Sequence, residues 1–339
     1  MRTVQSSPGG EGSIRCSWLI PVRNGGSWLA ESVASALTEC GNEDEVVLVD
    51  DGSVDGAVEA LPPHPKLRTL YQTKQGLVAA LEHGRRECRG QYIARLDADD
   101  IALPGRLGHQ IAALDTDSNL AAVGGRATLF TDRGPVPKGM QLYIDWINNL
   151  DDPHREILVE SPLLHPAVTF RADQVEHAGG YRSGEMPEDY DLWLRLVATG
   201  LRIANVPHEV VSIRDHSGRL TRTDSRYSRS AFDNCRRDFL QATILTEPRK
   251  VVLWAGIRGG RPWLRWLQSG GHQIIAVIDI TNSTIRSGIP VLPPAALPDL
   301  DLDMLLVAVG ARGARDQIRH ELAVLRPDLV EGQNWWALL

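Results

Sequence analysis

Short apolar runs alternate with helical periods through the first hundred residues, and two of the runs end on clustered aspartates. "SWLIPV" precedes the turn "RNGGS" and then "WLAESVASAL", where Trp28, Leu29, Val33 and Leu37 share a helix face and Ser27 stands at the capping position. "EVVLV" ends at "DDGS"; "LRTLY" follows; "GLVAALEHGRREC" has a helical period; "QYIARL" runs into "DADD". Strand-length runs without polar alternation, separated by helices, predict an α/β fold with a mostly parallel sheet flanked by helices. Ligands of such sheets bind beyond the carboxyl ends of the strands. Both aspartate clusters fall there.

A chain of 339 residues exceeds one ordinary domain, so two are expected. With 42% hydrophobic and 23% charged residues and a mean hydropathy of -0.20, the composition is that of a globular protein. A net charge of -7 argues against nucleic acid as a partner. Cys16, Cys40, Cys88 and Cys235 form no CxxC pair, which argues against a zinc cluster or disulfide framework and points to a reducing cytoplasm. No apolar run reaches the ~18 residues of a membrane span. The opening "MRTVQSSPGGEGS" has no signal-peptide core and reads as a disordered lead-in over residues 1–13.

Asp97, Asp99 and Asp100 lie within four positions. Like charges so close repel, and each is costly to desolvate, so a cationic partner is expected. Mg2+ or Mn2+ suits such a set, since both prefer carboxylate oxygens and often bridge them to substrate phosphates. In an extended segment Asp97 and Asp99 point to one side and Ala98 to the other. The bland alternative is a cap on a helix starting near Pro104. In "PEDYDLWLRLVATG", Leu192, Trp193, Leu196 and Val197 have helical spacing and Gly200 suits the helix end. Glu188 and Asp189 then stand at the helix start, as cap and first-turn acid or as a general base beside the crevice. His216 opens a polar loop followed by Arg219, Arg222, Arg226 and Arg229. That basic run is either a solvated face, offset by Asp215 and Asp224, or a surface for a diphosphate.

"SWLIPVRNGGSWLAESVASAL", "EVVLVDDGSVDG", "YIARLDADD", "PEDYDLWLRL" and "IRDHSGRLTRT", in that order, resemble the family 2 glycosyltransferases of GT-A fold over about residues 14 to 240. The resemblance implies an inverting, metal-dependent transfer from a nucleotide-diphosphate sugar to a hydroxyl acceptor; Asp50, able to accept from the N3–H of uracil, favours a UDP-sugar, although guanine and thymine also offer ring N–H donors. The resemblance also implies donor-nucleotide and sugar contacts at Pro21, Arg23, Asp50, Asp51, Asp97, Ala98 and Asp99. Asp189 matches the catalytic base, and Asp99 with His216, joined by Asp97, the Mn2+ or Mg2+ site. Glu188 and His165 fall on the acceptor side, and Arg222 stands as a cation for the diphosphate, with nothing in the sequence to single it out from Arg219. One departure is "TKQGL", where many members carry Asn in an "N-x-G". By family habit the setting is bacterial envelope or exopolysaccharide assembly, with a glycan or lipid-linked acceptor and a cytoplasmic protein in peripheral contact with the membrane. A sugar nucleotidylyltransferase would instead carry a "GxGTRL" loop after the first strand. A degenerate binding module would not keep Asp97, Asp99, Asp189 and His216 together.

"RKVVLWAGIRGGRPWLRWLQSGGHQIIAVIDI" reads as strand, Gly-rich turn, helix and strand, and "DLDMLLVAVG" with "ARDQIRHELAVL" adds another strand and helix. The expected division is therefore 14–247 for the GT-A domain and 248–339 for a Rossmann-like domain. Aligning Gly260 with the third glycine of a dinucleotide fingerprint puts Ile257 where the pyrophosphate needs a glycine, so no NAD or FAD is expected. Trp254, Trp263, Trp266, Trp335 and Trp336 suggest either a contact patch for a homo-oligomer or a small core.

Overall fold

The computed structural model describes residues 14–281, 284–311 and 313–339, and only the backbone of Ile257 and Arg258. The lead-in expected at 1–13 and the side chain of Ile257 lie outside the described residues. Two compact units result: Met1–Asp151 with Leu163–Tyr227, and Asp152–Pro162 with Ser228–Leu339.

The first unit follows the predicted alternation: β1 (Cys16–Val22), α1 (Leu29–Glu39), β2 (Asp44–Asp51), β3 (Leu67–Gln72), α2 (Leu77–Glu87) and β4 (Tyr92–Arg95). Then come β5 (Ile101–Ala102), α3 (Arg106–Thr116), β6 (Leu120–Phe130), α4 (Lys138–Asn148), β7 (Thr169–Arg171), α5 (Ala172–His177), α6 (Glu188–Ala198), β8 (Arg202–Arg214) and α7 (Leu220–Thr223). The sheet order is β3-β2-β1-β4-β7-β6-β8-β5. β3, β2, β1 and β4 are parallel, as are β6 and β8. β7 runs antiparallel to both its neighbours, and β5 to β8.

Every residue of β1 is buried, because the sheet is covered on both faces. Trp18, Ile20 and Val22 pack with Leu29, Val33 and Ala36 of α1. On the other face α2 approaches through Gly84, where an added Cβ would stand 2.3 Å from Leu19 and 2.6 Å from Val49 side-chain carbons. Gln110 of α3 is fully buried and bonds Thr169, Ala167, Val123 and Gly124, which fixes β6 and β7 against the helix. Ser27 does not cap α1: a 3-10 turn over Gly26–Trp28 leads into the helix, and no side chain caps it.

The second unit contains α8 (Arg229–Thr243), β9 (Lys250–Ala255), α9 (Ile257–Ser269), β10 (Gln273–Ile278), β11 (Ile285–Arg286), β12 (Ile289–Leu292), β13 (Met304–Ala308), α10 (Ala314–Leu325) and β14 (Trp335–Ala337). Its sheet, β11-β12-β10-β9-β13-β14, is parallel apart from the β11–β12 pair. Gly260 lets α9 close on β9, since a Cβ there would meet Ala255 Cβ at 2.6 Å. Trp254, Trp263, Trp335 and Trp336 are buried within this unit and Trp266 is half-buried, so most of the aromatic surface weighed as a contact patch fills the core instead.

The sequence reading divides the chain near residue 248, whereas the compact units divide at Tyr227 and Ser228. α8 joins the second unit, as does the excursion 152–162. Arg236 of α8, 2% exposed, donates to Val159 O at 2.7 Å, and Glu156 pairs with Arg319 of α10. No helix among the described residues is long and apolar enough to cross a membrane.

Candidate active site

Beyond the carboxyl ends of β1 and β2 two loops are laced together. Asn24, at φ 54°, donates its N–H to Ser53 Oγ and accepts from Val54 N–H, each at 2.9 Å. Gly26 N–H donates to Asp55 at 2.8 Å. Pro21 is buried within β1, and Arg23 is exposed just after it. The adjacent acids of β2 differ in use. Asp51 accepts from Gln72 Nε2, Gln75 N–H and Gly76 N–H at 2.7–2.8 Å, so both its oxygens fasten the loop that starts α2. Asp50 accepts from Ser53 N–H at 2.8 Å through one oxygen. In "TKQGL" it is therefore the backbone of Gln75 that Asp51 engages, while Lys74 is exposed.

The segment 97–100 is a tight turn, not the extended strand expected: Asp100 N–H donates to Asp97 O at 3.2 Å. The turn brings one carboxylate oxygen from each of Asp97, Asp99 and Asp100 within 4.8 Å of the others. The alternative of a helix cap falls away, because α3 starts at Arg106 after Gly105 with no side-chain cap. Asp97 accepts from Arg95 Nη2 at 2.6 Å. Burial works against its charge, but Arg95 and Arg219 outweigh it and hold the carboxyl below its ordinary value. Asp99 Oδ2 lies 2.6 Å from His216 Nε2. Asp100 is fully buried; Oδ1 accepts from Arg214 N–H at 2.9 Å, and Oδ2 has no hydrogen-bond partner. Burial first, then the charge of Asp97, push its carboxyl well above the usual range.

α6 begins at Glu188 after Pro187, and neither acid caps it. Both lie in its first turn, where the helix dipole favours negative charge. Glu188 is 1% exposed and takes the Tyr227 hydroxyl at both carboxyl oxygens, 3.0 and 2.8 Å. His165 Nδ1 stands 3.8 Å from Glu188 Oε1, and its Nε2 is 2.9 Å from the Tyr181 hydroxyl. Burial pulls the imidazole well below its ordinary value, so His165 is neutral at pH 7. Asp189 accepts from Tyr190 N–H at 2.7 Å, and burial followed by the charge of Glu188 pushes its carboxyl up to about 8.

The arginine run separates by geometry. Arg222 donates to Asp215 at 2.6 Å and to His216 O at 3.0 Å, away from the acidic turn. Arg219 is the one that faces the turn: Nη1 is 3.8 Å from Asp100 Oδ1 and donates to Arg214 O at 3.0 Å, and its Nε is buried without a partner. Sequence reasoning missed Arg95, Arg214 and Trp28. Arg95 is 1% exposed with Nε and Nη1 unpartnered, and a charged residue ending an apolar strand two places before an Asp was its signal. Arg214 donates to Asp99 O at 3.0 Å and to Glu31 at 2.5 Å, pairs with Asp132, and lies over the Trp28 and Phe130 rings. Trp28 in turn packs against His216 with ring centroids 4.7 Å apart.

Residues 17–172 match the family described as "Glycosyl transferase family 2". That stretch carries the acids after β2 and β4 and ends before α6. The amylovoran biosynthesis glycosyltransferase AmsE of Erwinia amylovora is 33% identical over 178 residues, 51% of this chain and 65% of that protein. The chain thus spans just under two thirds of that relative's length. The putative glycosyltransferase EpsE of Bacillus subtilis is 30% identical over 210 residues, 59% of this chain and 73% of its own. Among solved structures, S. aureus TarS 1-349 in complex with UDP-GlcNAc has the same fold, with a TM-score of 0.52 at 16% identity over 67% of this chain and 66% of that one.

Proposed function

The chain belongs to the family 2 glycosyl transferases, and on that premise we propose that its first unit moves a sugar from a nucleotide-diphosphate donor to an acceptor hydroxyl, with inversion. The observation that carries this reading is a split between two carboxyls. Asp97 is held below the usual carboxylate range, whereas Asp189 is pushed up to about 8. Carboxyls driven apart in this way suit different tasks, one to stay charged and one to take a proton.

In the transfer, Asp189 accepts the proton of the acceptor hydroxyl as the new O–C1 bond forms and the C1–O bond to the diphosphate breaks. The electron pair of the broken bond leaves with the diphosphate. Arg219, facing the acidic turn, meets that developing charge. Asp97, Asp99 and Asp100 offer hard oxygen donors within 4.8 Å of one another, with His216 at Asp99 and a partnerless oxygen on Asp100, and this set fits Mg2+ or Mn2+. Such a cation, when bound, supplies further charge neutralisation on the leaving group. Asp50 keeps one oxygen for the nucleotide base, and a carboxylate there accepts from the N3–H of uracil. That preference, and the UDP-GlcNAc named for the S. aureus structure, support a UDP-sugar donor. The amylovoran relative supports a role in bacterial polysaccharide assembly, with a glycan or lipid-linked acceptor.

Release of UDP from a panel of UDP-sugars with Mn2+ tests the reading. Asp189→Asn should lower turnover by roughly two to four orders of magnitude, the usual scale of general-base catalysis, with donor affinity little changed. Because the base must be deprotonated, the wild-type rate should fall as pH drops through about 8. Near-normal turnover by Asp189→Asn moves the base elsewhere.

A further inference from the structure

Two acids stand side by side in the first turn of α6, and the structure holds them differently. Glu188 is buried and receives one hydroxyl at both its oxygens. Asp189 is half-buried and receives backbone N–H groups of its own helix turn. Tyr227 comes from a 3-10 turn over Ser225–Tyr227, far along the chain from α6. Its phenol has no role in the transfer as described above.

We propose that Tyr227 is a positioning residue of the transfer site: its hydroxyl, shared between both oxygens of Glu188, assigns the pair's negative charge to Glu188 and leaves Asp189 as the member that receives the acceptor's proton. The inference rests on Asp189 as the base. Adjacent carboxyls do not both ionise cheaply, so the one whose oxygens receive a side-chain donor keeps the charge, and here the Tyr227 hydroxyl reaches Glu188 alone. Burial drives the Glu188 carboxyl up, and its own backbone N–H, then the Tyr227 hydroxyl, then the charges of Arg226 and Arg95 pull it back. Asp189 has fewer such donors and stands beside that charge, which strengthens it as a base. Of the other groups near the pair, His165 is neutral and 3.8 Å from Glu188, and Tyr181, whose phenol burial drives up, is neutral as well. Removing the phenol hydroxyl therefore lets Glu188 keep its proton to higher pH. Asp189, freed of a charged neighbour, becomes the weaker base of the two forms of the enzyme.

Tyr227→Phe in the full chain tests this. The rate of UDP release from UDP-GlcNAc with Mn2+ should fall by about three- to tenfold at its plateau, as for a weakened general base. The acid limb of its pH profile should move to lower pH by roughly half to one unit. A purely structural role would lower the rate without moving the limb. The same midpoint is readable without any substrate, from carboxyl 13C signals of the unliganded chain, with Asp189 identified by its loss in Asp189→Asn. Glu188→Gln should reproduce the downward shift, and adding Tyr227→Phe to it should shift the midpoint no further. An unchanged Asp189 midpoint in Tyr227→Phe, or an equal shift in the Glu188→Gln background, overturns the proposal. If Tyr227→Phe does not fold, an unchanged midpoint in Glu188→Gln alone overturns it. Turnover surviving Asp189→Asn would instead condemn the base assignment, and the two failures are told apart by the titration.

Discussion

Each unit ends a parallel strand on an aspartate, and the two aspartates meet opposite fates. After β4, Asp97 belongs to three acids in a tight turn whose neutralisation is incomplete: Asp100 Oδ2 and Arg95 Nε and Nη1 are buried without partners. After β10, Asp279 accepts from Arg286 Nη2 at 2.6 Å, and the same guanidinium donates to Ala255 O at 2.7 Å. Both members of that pair are about 6% exposed. Buried polar groups normally find partners, so a cluster of acids and a cation that do not is one place to seek a ligand. The second unit has a Rossmann-like order of elements, and Asp279, which follows its second strand where a dinucleotide fold keeps its ribose-binding acid, is already paired with Arg286.

The sharpest way to break the contrast is to open the closed pair. Arg286→Ala strands a buried carboxylate, and denaturation of the full chain should show a loss of about 3–5 kcal/mol in the transition that involves the second unit. A loss within the noise would mean that Asp279 is solvated after all and free for a ribose. Next in size is the acidic turn. Asp99→Ala should abolish the mutual enhancement of Mn2+ and UDP binding, read by calorimetry, while the chain stays folded. Equal UDP affinity with and without Mn2+ in the wild type would count against a shared cation.

The smallest effect sharpens the comparison most, because its sign is opposite to that of Arg286→Ala. The folded-state carboxyl of Asp100 lies above the ordinary value, so its contribution favours the fold below that value and is lost as pH rises. At neutral pH it therefore costs stability. Asp100→Asn should raise the melting stability of the unliganded chain by roughly 1 kcal/mol at neutral pH, and the gain should shrink as pH falls through the ordinary carboxyl range. Destabilisation at neutral pH would place an unseen donor on Asp100 Oδ2.

Much of this was legible locally. β1, β2 and β4 each read as a strand because burial on both faces demands an unbroken apolar run, which "SWLIPV" and "EVVLV" display, whereas β3 is a half-buried edge strand. The acids at their ends were equally plain, and Gly200, at φ 86°, ends α6 as expected. Other readings needed the fold. "DADD" looks extended in one dimension, yet the backbone bond from Asp100 to Asp97 curls it into a turn. Arg219 and Arg222 are three residues apart with the same chemistry, and only packing points one at Asp100 and the other at Asp215. The tryptophans of the second unit could serve a surface or a core until their burial was known.

The sequence by itself determined the alternation of strands and helices, the placing of carboxylates beyond strand ends, and the acids that open α6. Each of these depends on neighbours within a few residues, through period, propensity and charge. Only the tertiary structure decided that His216 meets Asp99 across 117 positions, that Tyr227 holds Glu188, that Arg286 closes Asp279, and that residues 152–162 leave one unit to pack in the other. Those pairings follow from strand order and crossovers. A polar group pulled out of water must then bond whatever the fold brings beside it, and that partner is not written near it in the chain.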